Sequence, residues 1–278
     1  MGDAPRDPEE LAAAGTPAHG SLPDGFELGA VHLSVADLAR SLDYYRTQIG
    51  LEVLAQENGG ARLGAGEREL LVLREEPGAR PADGYSGLYH FALLVPDRPS
   101  LARWLAHAAR DRVTLTGLSD HAVSEAIYLR DPDGHGIEIY ADRARELWEG
   151  RVTELMTTIP LNTDDLFSVL DDPAAEPFDG LPDGTVMGHV HLRVAEIEPT
   201  VTFYRGRGFD LMAQLGGQAA FLAAAGYHHH IGANTWESAG RPPAPPGHAT
   251  LLHATMLVPG AAEKELVDPS GNRWLVRA

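Results

Sequence analysis

The 278-residue sequence has no cysteine, which removes disulfides, thiolate metal ligands and a thiol nucleophile from consideration. Basic residues are scarce: 22 Lys and Arg stand against 40 Asp and Glu, for a formal net charge of -18. Nucleic acids are bound by clustered Lys and Arg, so no nucleic-acid partner is expected, and an anionic membrane surface would repel the chain. No apolar run approaches the roughly 18 residues that span a bilayer, so no membrane partner is expected either. Residues 1–25 are rich in Ala, Pro, Gly and acids and lack the basic start and apolar stretch of a signal peptide. They read as a disordered tail, and a cytoplasmic protein fits these absences. The remainder is ordinary globular composition, 44% hydrophobic and 22% charged, long enough for one large domain or two of usual size.

The chain repeats itself. Leu22-Pro-Asp-Gly25 recurs as Leu181-Pro-Asp-Gly184, and each copy leads into a similar segment, Gly29-Ala-Val-His-Leu-Ser-Val35 and Gly188-His-Val-His-Leu-Arg-Val194. His32 and His191 fall in register. A second pair of echoes sets Leu88-Tyr-His-Phe-Ala-Leu-Leu-Val-Pro96 against Leu252-His-Ala-Thr-Met-Leu-Val-Pro259, so that His90 matches His253. Asp131-Pro-Asp-Gly134 then matches Asp268-Pro-Ser-Gly271, each followed by a strand.

Each module reads as β-α-β-β-β. Residues 31–35 alternate as a half-buried strand should. Asp37 can cap a helix whose stripe is Leu38, Leu42, Tyr45 and Ile49, with Gly50 as its stop. In the second module Pro99 suits a first helical turn, and Leu101, Trp104, Leu105 and Ala108 form the buried stripe. Segments 68–74 and 126–129 read as later strands, and Asp131–Gly134 as a turn into the strand Ile137-Glu-Ile-Tyr140. The fourth module is shortened: 41 residues separate His90 from Asp131, but only 15 separate His253 from Asp268. Residues 143–185 join the halves through a helix near Ala144–Leu155 and an acidic linker, and Arg241-Pro-Pro-Ala-Pro-Pro246 is a stiff loop. The fold class is therefore α+β, with tandem βαβββ modules paired into two curved-sheet domains. The expected division is a tail, 1–25; a metal-binding N-terminal domain of two modules, 26–142; a helix and linker, 143–185; and a C-terminal domain, 186–278.

Three polar residues sit on strands otherwise built for a core: His32, His90 and Glu138. A carboxylate between Ile137 and Ile139 is costly to bury unless paired or metal-bound. Two imidazoles and one carboxylate on one face suit a six-coordinate iron(II), Fe(II), with positions left for substrate and oxygen. Manganese(II), zinc(II) and nickel(II) are alternatives.

The segments Ser86-Gly-Leu-Tyr-His-Phe-Ala-Leu-Leu-Val-Pro-Asp-Arg98, Ser119–Gly134, Gly136-Ile-Glu-Ile-Tyr-Ala-Asp-Arg143 and Gly226–Trp236 resemble the vicinal-oxygen-chelate superfamily, in its catechol-2,3-dioxygenase-like branch. The resemblance covers most of residues 28–278. It implies a metal held by a His on the first strand of one module, a His on the first strand of its partner and a Glu on that partner's last strand. Carried over, these are His32, His90 and Glu138. It also implies a His or Tyr that handles substrate protons, for which His121, beside Asp120, and Tyr128 are the candidates. The expected partners are a small aromatic substrate and molecular oxygen, and homo-oligomer formation is left open.

The sequence departs from that pattern twice. Leu275 stands where Glu138 stands in the first half, so His191 and His253 read as a degenerate site. The family's proton-handling His also matches Glu69 in the first half but His229 in the second, within His228-His-His230. Two rival readings follow: a glyoxalase-type isomerase using His32, Glu69, His90 and Glu138, and a non-catalytic protein that sequesters an aromatic compound.

Overall fold

The protein is described by a computed structural model that covers residues 21–23 and 25–278; the tail expected over 1–25 otherwise lies outside the described residues. Module one is β1 (Glu27–Val35), α1 (Leu38–Tyr44), β2 (Glu52–Glu57), β3 (Gly60–Ala65) and β4 (Arg68–Glu75). Module two is β5 (Gly87–Leu94), α2 (Arg98–Asp111), β6 (Gly117–Asp120), β7 (Ser124–Arg130) and β8 (Gly136–Asp142). Module three is β9 (Val186–Arg193), α3 (Ile197–Arg205), β10 (Asp210–Leu215), β11 (Ala219–Ala223) and β12 (Ile231–Asn234). Module four keeps only β13 (Leu251–Leu257), β14 (Lys264–Val267) and β15 (Arg273–Arg277), so its shortening costs it the helix.

Local signals act as their chemistry dictates. Asp37 and Asp97 cap α1 and α2 by accepting the backbone N–H of Arg40 and Ser100. α1 runs on into a single π-helical turn, Tyr45–Ile49, and ends at Gly50, whose φ of 89° is the left-handed value a helix stop requires. The expected stripe Leu101, Trp104, Leu105 and Ala108 is buried. The helix expected near Ala144–Leu155 is instead two short turns, Arg145–Leu147 and Val152–Leu155. Gly150, at φ 70°, interrupts it, and the Trp148 indole donates to the Arg143 carbonyl.

The sheet pairing differs from the expected one. β5 of module two pairs antiparallel with β9 of module three, while β1 of module one pairs antiparallel with β13 of module four. Only Leu28 and Met187 join β1 to β9. The curved sheets are thus built from modules two and three and from modules one and four, rather than from neighbours in sequence. Contacts between sequence neighbours persist on the helical side. The Tyr45 hydroxyl after α1 donates to Asp131 in module two at 2.8 Å, and Tyr204 on α3 donates to Asp268 in module four at 3.1 Å. Each aspartate also accepts two backbone N–H groups of its own turn. One continuous core links all four modules, from Leu33 and Leu71 through Phe91, Ile137, Val190 and Ile231 to Trp274. No helix among the described residues is long and apolar enough to cross a membrane.

Close approach makes Gly136 demanding. A Cβ there would run into the Tyr89 carbonyl and sit 2.9 Å from the Cβ of His90. Gly136→Ala is expected to destabilise the fold by about 1–3 kcal/mol in urea denaturation and to spread β5 from β8.

Candidate metal centre

The register of β8, β5 and β9 brings three polar side chains to one point. Ala92 on β5 lies beside Glu138 of the parallel strand β8 and beside His189 of the antiparallel strand β9. His90 is two residues back along β5, hence on the same face as Ala92. The methyl of Ala92 leaves the space over which the longer neighbours lean together. His90 Nε2 lies 3.0 Å and His189 Nε2 2.9 Å from the same oxygen, Oε2 of Glu138, and the two nitrogens are 3.2 Å apart. All three residues are buried, and together they form a group of His and acidic side chains close enough to share one ion.

Hydrogen bonding alone does not satisfy this triangle. With Glu138 ionised, no placement of protons turns all three edges into hydrogen bonds. Either two N–H groups or two lone pairs must face each other across one edge. Nδ1 of His189 has no hydrogen-bond partner among the described residues. A cation bound by all three atoms removes the conflict. Donors about 2.1 Å from an ion and at right angles lie ~3.0 Å apart, against ~3.4 Å for a tetrahedral site. The observed edges fit one face of an octahedron. The donor set therefore suits a divalent metal with positions left open on the far side.

Electrostatics set the protonation that a metal requires. Burial acts most strongly on Glu138 and would raise its pKa, but the charges and hydrogen bonds of His189 and His90 together hold it well below the usual carboxylate range. Burial pushes His189 down to about 4, and pushes His191 and His229 well below 6.5. The centre thus offers one carboxylate from Glu138 and a neutral imidazole from His189.

The sequence-derived candidates divide. His90 and Glu138 come together, but His32 is not with them. It lies in β1 opposite His253 of β13, the two rings stacked at 3.9 Å. The place given to His32 is taken by His189, two residues before His191 and on the same face of β9. The cause is the module pairing: β1 faces β13 rather than β5. Glu69 is also elsewhere, paired with Arg62 at 3.1 Å. In the second sheet Ala30, His253 and Leu275 stand where His189, His90 and Glu138 stand in the first, leaving one ligand of three. His191 packs beside the triad and accepts from the Asn234 amide at 3.0 Å.

His121 and Tyr128 reach the same place. With the triad, His191 and His229 they bound a cavity of about 10 Å³, room for roughly one small particle. The Tyr128 hydroxyl is 2.7 Å from His121 Nε2, and His121 Nδ1 is 2.8 Å from the Thr157 carbonyl. Because a carbonyl only accepts, His121 donates from Nδ1, and a ring carrying that single proton accepts from Tyr128 through Nε2. A second cavity of about 350 Å³ shares His90 and Tyr128 with the first and is walled by Tyr89, Ile137 and Trp236.

Comparison with known proteins agrees with this architecture. Residues 27–139 match the family described as Glyoxalase/Bleomycin resistance protein/Dioxygenase superfamily. The chain is 40% identical over 256 residues to a catechol-2,3-dioxygenase of Bacillus subtilis (strain 168), covering 89% of this chain and 88% of that protein. The chain belongs to this superfamily. Within it, the protein is an enzyme of the catechol-2,3-dioxygenase-like branch. Solved structures of low identity share the vicinal-oxygen-chelate fold. One, from Bacillus subtilis subsp. subtilis str. 168, has a TM-score of 0.58 at 13% identity, and the match covers 90% of this chain and 84% of that chain. Glyoxalase I from Zea mays has a TM-score of 0.54 at 16% identity, covering 91% and 92%.

The buried imidazoles make stability pH-dependent. Burial lowers His32 and His189 to about 4 and His230 to about 3, from 6.5. Unfolded chains take up these protons near 6.5 and the folded protein resists, so the stability is fully present above that value and is lost as pH falls towards 4. Glu138, also depressed, adds a contribution lost at still lower pH. The melting temperature of metal-free protein should be flat above about pH 7 and fall steeply below about pH 6; a flat profile down to about pH 5 would contradict these assignments.

Proposed function

We propose that the protein is a non-haem iron(II) extradiol-type dioxygenase that opens the ring of a catechol-like substrate, with the metal held by His90, Glu138 and His189. The observation that carries this reading is the facial set of two imidazoles and one carboxylate beside an aromatic-walled cavity, in a chain 40% identical to a catechol-2,3-dioxygenase. Iron(II) supplies the redox chemistry by which oxygen and an electron-rich ring react.

The protein's own residues orient and deprotonate. Tyr89 and Trp236, with rings 5.4 Å apart, and Tyr128 line a space suited to a flat ring. The indole N–H of Trp236 is buried and has no hydrogen-bond partner among the described residues. A catechol loses a proton on binding, and two groups stand ready to handle protons: the Tyr128–His121 pair from module two and His229 from module three. Burial keeps His229 neutral, hence able to accept. Met156 and Phe221 supply apolar lining to the inner cavity.

The four-ligand isomerase reading has lost two of its four ligands, since Glu69 and His32 lie apart from His90 and Glu138. The test is to load the protein anaerobically with iron(II), then add catechol and oxygen. Oxygen uptake with a coloured ring-opened product is expected. Glu138→Ala and His189→Ala should each lower the rate at least ~100-fold, while His32→Ala stays within about threefold. Tight catechol binding without oxygen consumption, across several catechols, would favour a sequestering protein instead.

A further inference from the structure

The run His228-His-His230 is only partly accounted for by the metal centre. His230 is structural, accepting the Ala224 N–H through Nδ1 and packing edge-on against Phe26. His229 borders the inner cavity with its ring 4.1 Å from that of His189. Its Nδ1 lies 2.8 Å from Nδ1 of His228. His228 is fully buried, and its Nε2 lies 2.9 Å from Oδ1 of Asp142. Asp142 ends β8, four residues beyond Glu138 on the same strand, with its side chain 23% exposed. It also takes a hydrogen bond from the Tyr227 hydroxyl, whose oxygen is 2.8 Å from that of Tyr140. A continuous line therefore runs from the protein surface at Asp142 to the metal centre.

We propose that Asp142 and His228 are positioning residues that fix which nitrogen of His229 carries its proton, leaving the Nε2 lone pair for the substrate. A carboxylate only accepts, so His228 presents Nε2–H to Asp142. With one proton on that ring, Nδ1 of His228 is a lone pair, and the 2.8 Å contact requires His229 to donate from its own Nδ1. A neutral His229 has no second proton, so its Nε2 is an acceptor. Reversing both rings would keep the contact between them but would turn a lone pair on His228 towards the carboxylate. The Asp142 carboxylate thus favours the first arrangement. A buried carboxylate can orient a catalytic imidazole in this way, and its amide analogue then selects the wrong tautomer. The proposal rests on the reading of His229 as a proton acceptor for a bound catechol. What it adds is the device that makes His229 an acceptor.

The tautomers can be read directly, without turnover. Zinc-loaded protein, which is diamagnetic, is labelled with ¹⁵N, and the ring nitrogens are assigned with His228→Gln and His229→Gln. The expected spectrum has His229 protonated on Nδ1 and His228 on Nε2. Asp142→Asn, whose amide can donate to His228, should invert both rings, and Asp142→Glu should leave them as in the wild type. Iron-loaded Asp142→Asn should then consume oxygen at least about tenfold more slowly at unchanged iron content. A wild-type His229 protonated on Nε2, a His228 ring protonated on both nitrogens, or an Asn variant with unchanged rings overturns the proposal. Inverted rings with unchanged turnover would overturn the catalytic purpose of the lock. The expected tautomers in a protein that consumes no oxygen with any catechol would support the lock and sink the dioxygenase reading instead.

Discussion

Glu138 is a carboxylate almost entirely removed from water, and the surrounding structure answers the cost of placing a charge there. A lone buried carboxylate would protonate or destabilise the fold. Here two imidazoles from two different strands approach one of its oxygens to 2.9 and 3.0 Å. They lower the cost, but they crowd each other at 3.2 Å in a way that protons cannot resolve. A divalent ion resolves it. The same feature that makes the unliganded triangle awkward makes it a binding site, and a partly satisfied buried polar group is costly enough that such an arrangement is hard to explain otherwise.

That convergence depends on which modules meet. β8 and β5 belong to module two, and β9 belongs to module three, so neither half of the chain contains the site. The linker of 143–185 and the short turns that replace a long helix there let module three come round against module two. Modules one and four are then left to close against each other. In that second sheet Ala30 and Leu275 provide no ligand, and His253 stacks on His32. One sheet carries the polar cluster, and its counterpart serves as a scaffold.

Much of this was legible in the sequence. The repeated module, the capped helices and their stripes, the shortened fourth module, and the placing of His90, Glu138, His121 and Tyr128 near one another all followed from periodicity, turn chemistry and resemblance. His189 carries no such signal, because in the aligned repeats His32 stands opposite His191 and His189 stands against Ala30. Pairing modules in sequence order then made His32 the natural partner of His90. Strand pairing between modules depends on long-range packing that no local pattern encodes. Yet a clue was present: the first half had the carboxylate without the extra histidines, and the second half had the histidines without the carboxylate. Each half lacked what the other supplied, as expected of a site shared between them. Two histidines at i and i+2 on one strand also point to one face, so His189 and His191 are equivalent candidates by pattern.

The central claim is that a single metal is held across the seam between modules two and three. Anomalous diffraction at the iron edge from crystals of iron-loaded protein tests it most directly. One peak is expected, within about 2.0–2.2 Å of Nε2 of His90, Nε2 of His189 and a carboxylate oxygen of Glu138. A peak beside His32 and His253, or none in protein shown to contain stoichiometric iron, would contradict the account.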